Sequence, residues 1–305
     1  MLRIDGHVHT HSDDPQAFPY CDTMGLPTPD PTHHAATSWS GPGESERSIG
    51  KSERLVAAMA AAGVDGALIV QPRYHGFDHS SVARCMTDHT PRLAGSTLVD
   101  LSLNPEAAAA EVARLHNAGF SGVRIKPALC APGQPITCET GLAVARACAE
   151  RRMPVSVLTG VAPERDQLVR LATAFPTNPL VIEHFGGSEP GQPGWEEVLS
   201  LAKFDNVVVK CTATPGLAGA PSTPAGFGAA TLELLGRFGA SRLLWGSNFP
   251  HASTQEYVEI WGWFDRWCEE QLSEQERGML AGGTAASLYA FGGLAAPSSG
   301  GEGRL

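Results

Sequence analysis

Short apolar runs rich in β-branched residues alternate along the chain with longer Ala/Leu-rich segments in which apolar positions recur at helical spacing. The first pattern predicts buried strands and the second amphipathic helices. Eight runs carry the strand signature: Leu2–His9, Gly66–Pro72, Leu93–Asp100, Gly122–Pro127, Pro154–Gly160, Leu180–Gly187, Val207–Ala213 and Arg242–Pro250. Helices are predicted over Ser52–Ala62, Asp78–Thr90, Pro105–Ala118, Glu139–Arg152, Pro163–Phe175, Trp195–Lys203, Ala225–Phe238 and Thr254–Gln271. Asn104-Pro105 is a clear helix start, because Asn caps free amides and Pro tolerates the first helical position. Strict strand–helix alternation predicts an α/β fold, a single (β/α)8 TIM barrel over residues 1–291, with an open doubly wound sheet as the alternative.

Two segments break the alternation. Residues 10–51, rich in Pro, Gly, Ser and His, are too long for an ordinary connection and follow the first strand directly, which predicts a lid or wall. Residues 292–305 have linker composition and predict a flexible tail. Acidic residues outnumber basic ones by 32 to 22, and no basic run could track a phosphate backbone, so nucleic acid is not expected as a partner. The start MLRIDGHVH lacks a secretory signal pattern and no run is long enough for a membrane span, so the expectation is a cytoplasmic protein with no membrane partner. Seven scattered cysteines without a C-x-x-C pair argue against a disulfide framework or a zinc knuckle and predict reduced thiols.

Candidate chemistry gathers at predicted strand ends. In Asp5-Gly6-His7-Val8-His9 the histidines are two apart, so both point to one face, and in a barrel that face is the interior. Two imidazoles at a strand's C-terminal end suit metal binding, proton transfer or anion recognition; packed, hydrogen-bonded rings without chemical duty are the alternative. Arg124 and Lys126 share a face of the fourth predicted strand and, if inward, form a carboxylate clamp; a surface pairing is the alternative. Lys210 ends an apolar seventh strand, where anion binding is the more economical role than a Schiff base. The cluster Gln71, Arg73, Tyr74, His75, Asp78 and His79 follows the second strand and is expected to supply substrate contacts, Arg73 and Tyr74 foremost. Cys130 and Cys211 lie near strand ends and are expected to be buried bystanders.

A leading D-x-H-x-H strand, a later E-H-F-G-G and a final L-L-W-G-S-N-F-P-H occur in that order. Together they resemble the amidohydrolase superfamily, within it the amidohydrolase-2 group that holds 2-pyrone-4,6-dicarboxylate lactonase-like hydrolases and aromatic or enoic acid decarboxylases. The resemblance spans roughly residues 2–291 and implies a TIM barrel. It matches His7 and His9 to the group's first-strand pair, His184 to its sixth-strand histidine, Lys210 to its seventh-strand lysine and His251 to a histidine after the eighth strand. Asn248 stands where the group usually has aspartate, and an amide neither takes nor delivers the proton that an aspartate would. Leu158 stands where metal-binding relatives commonly offer a histidine. His7, His9 and His184 are thus the imidazoles left to hold a divalent metal such as zinc, and the reading leans to no required cofactor, as in the lactonase branch. Gly282–Tyr289 resembles the group's closing segment, with Thr284 where Asn is usual.

The resemblance implies an enzyme acting on a small, anionic, carboxylated ring compound, most simply by hydrolysing a lactone, ester or amide. Arg124, Lys126 and Lys210 would hold carboxylates, and His184 or His251 would act as base. A decarboxylase, isomerase or cyclase, with Asn248 orienting substrate, is the second reading. A non-catalytic small-molecule binder is the third, and a homo-oligomer is possible under any of them.

Overall fold

The computed structural model describes residues 1–12, 14, 16–18, 51–72, 75–127, 130–131, 133–212, 221, 223–250 and 254–292. Arg73, Tyr74, His251, most of the 10–51 segment and all but the first residue of the expected tail lie outside these.

Eight parallel strands form one sheet in chain order: β1 (Ile4–Val8), β2 (Gly66–Val70), β3 (Leu93–Leu98), β4 (Gly122–Ile125), β5 (Val155–Val157), β6 (Leu180–Ile182), β7 (Val207–Thr212) and β8 (Leu243–Gly246). A doubly wound sheet would place β1 in the interior of the order; here it meets the segment after β8 instead. Val8 pairs with Phe249, the His9 amide donates to the Phe249 carbonyl at 2.7 Å, and the Asn248 amide donates to the His7 carbonyl at 2.8 Å. The sheet therefore closes as the expected (β/α)8 barrel, and the open-sheet alternative falls.

The helices alternate with the strands: α1 (Ser52–Ala62), α2 (Ser80–Asp88), α3 (Pro105–Asn117), α4 (Glu139–Glu150), α5 (Val161–Ala174), α6 (Trp195–Ser200), α7 (Pro224–Phe238) and α8 (Thr254–Gln271). The Asn104 side chain accepts the Ala107 amide at 2.8 Å ahead of Pro105, as the sequence predicts. Differences sit at the ends. The fifth helix begins two residues before Pro163, because Pro is tolerated anywhere in a first turn. The second begins after His79, because the Asp78 carboxylate takes the Ser80 amide in a local turn instead of continuing the helix.

Strand residues alternate between two cores. Val8, Ala67, Ile69, Val123, Val157 and Val209 pack outward against the helices, and Ile4, Leu68, Val70, Ala94, Val181, Val208 and Leu244 fill the lower interior. After α8 come two short helices, α9 (Glu274–Gly278) and α10 (Thr284–Leu288), joined by a π-helical turn (Met279–Gly283). They deliver Ala285, Tyr289 and Phe291 to the lower interior cluster and so plug the N-terminal end of the barrel. With that end filled by side chains, polar groups find room only at the opposite, C-terminal end.

Candidate active site

In β1, Ile4 faces the lower interior and Val8 the helices, a parity that four uninterrupted residues would not give. The register explains it: Asp5 pairs with Ala67 and Val8 with Ile69, so three steps of β1 oppose two of β2 in a bulge at Gly6–His7. The bulge needs glycine, since a Cβ on Gly6 would lie 2.3 Å from the Leu244 side chain. It leaves Asp5 behind the strand, where its Oδ1 accepts the amides of His7 at 3.2 Å and Ser247 at 2.9 Å. His7 and His9 are turned to the barrel mouth.

The two rings are linked in a chain of fixed sense. His9 Nδ1 donates to the Val70 carbonyl at 2.8 Å, which leaves Nε2 of a neutral His9 as an acceptor. His7 Nε2 lies 3.3 Å from it and must donate, so His7 Nδ1 is unprotonated and accepts from the Lys210 ammonium at 3.2 Å. Both ends of the chain thus assign His7 the same tautomer. Burial, with the nearby Lys210 charge second, holds its pKa well below the usual imidazole value, so the ring stays neutral.

Lys210 and Arg124 converge on Glu183, which directly follows β6 and is fully buried. Arg124 gives Nε and Nη2 to Glu183 Oε2 at 2.9 and 2.7 Å, while Lys210 Nζ stands 3.7 Å from Oε1. Burial alone would push the Glu183 carboxyl up, but the two cations outweigh it and hold it at about 2. Burial pulls Lys210 down and Glu183 opposes it, leaving the ammonium at about 8.

His184 lies beside this group. Its ring is 4.6 Å from that of His7, its Nδ1 shares a 2.6 Å hydrogen bond with Thr212 Oγ1, and its Nε2 is 3.9 Å from Glu183 Oε2. Its backbone is left-handed (φ 52°), followed by Phe185, Gly186 and Gly187 at φ 56°, 67° and 71°. Asn248 is likewise left-handed at φ 58°, is buried, and its Oδ1 has no hydrogen-bond partner among the described residues. Strained, non-glycine backbone at two of the expected site residues marks the place where packing is overruled by another demand.

Of the other expected residues, Lys126 is half-buried just past the end of β4. Gln71 spends its amide nitrogen on the Gly76 and Asp78 carbonyls at 3.1 and 2.7 Å, and His79 Nε2 accepts the Leu98 amide at 3.2 Å, so both fold their loop. Burial pushes the Cys130 thiol up to about 11 and Cys211 up to about 12, so neither is a nucleophile at neutral pH. Sequence reasoning quoted Glu183 in a motif without giving it a role. The signal was present: Glu183 alternates with Val181, and two inward cations on apolar strands require a buried anion.

His7, Glu183 and His184 each offer a ligand atom within 4.8 Å of the others, a cluster of the kind that holds a metal. The 3.3 Å between His7 Nε2 and His9 Nε2 also matches the about 3.3 Å separating two nitrogens on tetrahedral zinc. Spacing fits; donor chemistry does not. A metal-bound imidazole usually donates its other N–H to a carboxylate or carbonyl, whereas His7 Nδ1 accepts a hydrogen bond from an ammonium and the ring's one proton, on Nε2, occupies the ligand lone pair. Glu183 is committed to Arg124 and Lys210.

Comparison with known proteins agrees with this architecture. A putative 2-pyrone-4,6-dicarboxylic acid hydrolase from Pseudomonas putida is 24% identical, with a TM-score of 0.70 over 95% of this chain and 98% of its own. An amidohydrolase from Burkholderia multivorans, solved with bound zinc, is 22% identical, with a TM-score of 0.63 over 95% and 99%. At these identities the likeness is one of fold. An L-fucono-1,5-lactonase from Burkholderia multivorans is 44% identical over 58 residues, only 19% of this chain and 20% of that protein. The amidohydrolase family model matches residues 4–291, nearly the whole chain, and the protein is therefore a member of the amidohydrolase family.

Proposed function

We propose that this barrel, residues 1–291 acting as one catalytic unit, hydrolyses a lactone, or a related ester or amide, of a small carboxylated ring compound. The observation that carries the reading is the charge count at the mouth. Arg124 and Lys210 share one carboxylate, Glu183, beside a neutral His7, so this trio holds one cation in excess, while the buried Asp5 carboxylate, which also acts on Lys210, is engaged by the His7 and Ser247 amides behind β1. A dry site with an uncompensated cation favours an anion, first a substrate carboxylate and then the oxyanion that forms as water adds to a carbonyl. Lys126, together with Arg73 and Tyr74 from the sequence that follows β2, would receive the carboxylate, and Arg124 and Lys210 would supply the field behind it.

His184 is the proposed base. With its Nδ1–H directed to Thr212, Nε2 takes the proton of the attacking water, and the Glu183 carboxylate 3.9 Å away stabilises the imidazolium. The Asn248 Oδ1, a buried acceptor without a partner among the described residues, orients that water but cannot deprotonate it. Hydroxide adds to the carbonyl carbon, the ring C–O bond breaks as the oxyanion collapses, and the departing oxygen takes the proton back from His184. Each proton in this step moves between water, His184 and the departing oxygen. His251 is the alternative base on the notion of a histidine after the eighth strand.

Loss of carbon dioxide from the same anionic substrate is the second reading, favoured by Asn248: decarboxylation does not require the aspartate that an amide replaces. Incubation of carboxylated lactones and pyrones in ¹⁸O-labelled water distinguishes the two. Hydrolysis places one label in the new carboxylate; decarboxylation releases carbon dioxide without ring opening. No turnover of any such compound, with tight binding of dicarboxylates, would sink both and leave a binding protein.

A further inference from the structure

We propose that the buried Lys210 ammonium takes the place of a divalent metal in this site, and that removing it turns the His7, His9 and His184 cluster into a zinc site. The inference concerns what the site binds and does not depend on which bond it breaks.

Zinc needs lone pairs, and the geometry supplies the spacing for them without the lone pairs themselves. His7 is the middle of the chain Lys210 Nζ, His7, His9, Val70 carbonyl, with links of 3.2, 3.3 and 2.8 Å, all running in one direction. As long as Lys210 donates to His7 Nδ1, the proton of His7 sits on Nε2 and points at His9 Nε2. One hydrogen bond thereby removes both inward lone pairs from service, the first by protonation and the second by acceptance. The same ammonium sits 3.7 Å from Glu183 Oε1, an oxygen with no hydrogen bond within 3.5 Å among the described residues and the remaining hard donor of the cluster. A positive charge fully buried between an imidazole and a carboxylate also repels an incoming dication at a distance where little solvent screens it.

Without the ammonium each obstacle reverses. His7 can carry its proton on Nδ1, both Nε2 atoms present lone pairs about one zinc span apart, and Glu183 Oε1 becomes an acceptor for the His7 Nδ1–H, the arrangement in which imidazoles bind metals well. His184, 4.6 Å ring to ring from His7, is placed to add a third nitrogen.

The test loads chelator-stripped protein with zinc ions at neutral pH, removes the excess, and measures zinc per chain alongside thermal unfolding. No substrate is present, so failure of the hydrolysis reading leaves the result intact. Expected are no zinc above a His7→Ala control for the natural chain, and about one equivalent with a raised Tm for Lys210→Met, lost again in Lys210→Met/His7→Ala. One equivalent in the natural chain that His7→Ala removes would overturn the proposal, as would a folded Lys210→Met that takes up none. Should Lys210→Met not fold, Lys210→Gln is read the same way. Nitrogen NMR of the His7 ring in the natural chain gives an independent answer: an unprotonated Nδ1, unmoved by added zinc, is expected, and a protonated Nδ1 overturns the assignment.

Discussion

Replacing Glu183 by Gln is the most informative single change. The carboxylate is fully buried, accepts two hydrogen bonds from Arg124 and faces Lys210, whose side chain is 0% exposed. Gln keeps the volume and can still accept one bond from Arg124, so the charge is what is lost, and two cations remain in the interior with no anion between them. Breaking a buried ion pair by removing one partner costs about 3–5 kcal/mol; the surviving Arg124 hydrogen bond places the expectation near the lower end, about 3 kcal/mol. Urea unfolding should show this as a lowered midpoint with unchanged slope. The sign with pH is fixed by the depressed carboxyl. With a folded value of about 2 against roughly 4.3 unfolded, Glu183 contributes stability that is present above the unfolded value and lost as pH falls through that window. The Glu183→Gln chain should lack that component of acid destabilisation. Adding Lys210→Met should return part of the loss, because the second stranded cation goes with it, and the double-mutant cycle should deviate from additivity by about 1 kcal/mol or more. A Glu183→Gln chain within about 0.5 kcal/mol of the natural one, the range of ordinary surface changes, would refute the reasoning.

Gly246→Ala would place a Cβ 2.7 Å from the Cβ of His7 and 2.9 Å from its amide nitrogen; the expected outcome is about 1–3 kcal/mol of lost stability and a fall in kcat of about a hundredfold from the displaced ring, checked by thermal unfolding and steady-state kinetics. Asn248→Gly relaxes a φ of 58° and should hold or raise Tm, while turnover falls by about tenfold if the proposed water-orienting acceptor is lost with the side chain. Ser273 and Glu276 form a reciprocal cap far from the mouth, so Ser273→Ala should cost about 1 kcal/mol in chemical unfolding and leave kinetics unchanged.

Much of this was legible because barrel strands obey period two. Alternation placed His7 with His9 on the inner face, and the strand count gave the closure that Val8 and Phe249 make. What alternation could not show is where it breaks. Applied strictly to β1 it would point Asp5 inward; the bulge sends it behind the strand, where it ties the amides on either side of the closure. Nor could spacing reveal that Arg124, read as a substrate clamp, is engaged by Glu183, since the two are 59 residues apart and meet only across the closed sheet. The short helices after α8 escaped because five-residue segments carry too little periodicity, although the Ser273–Glu276 spacing was a cap signal in plain view.

The left-handed turn at His184–Gly187 ties chemistry to grease. His184 and Phe185 each pay about 1–2 kcal/mol to turn against their natural hand, and the visible compensation is Phe185, wholly enclosed between sheet and helices with its ring edge-on to Phe227 of α7 at 5.3 Å. The imidazole inside the barrel is thus aimed by a phenyl ring outside it, like a key held by its bow. Trimming Phe227 would therefore slacken the His184 turn from a position outside the barrel, and the outer aromatic packing becomes a place from which the aim of that ring can be altered without changing a single residue at the mouth.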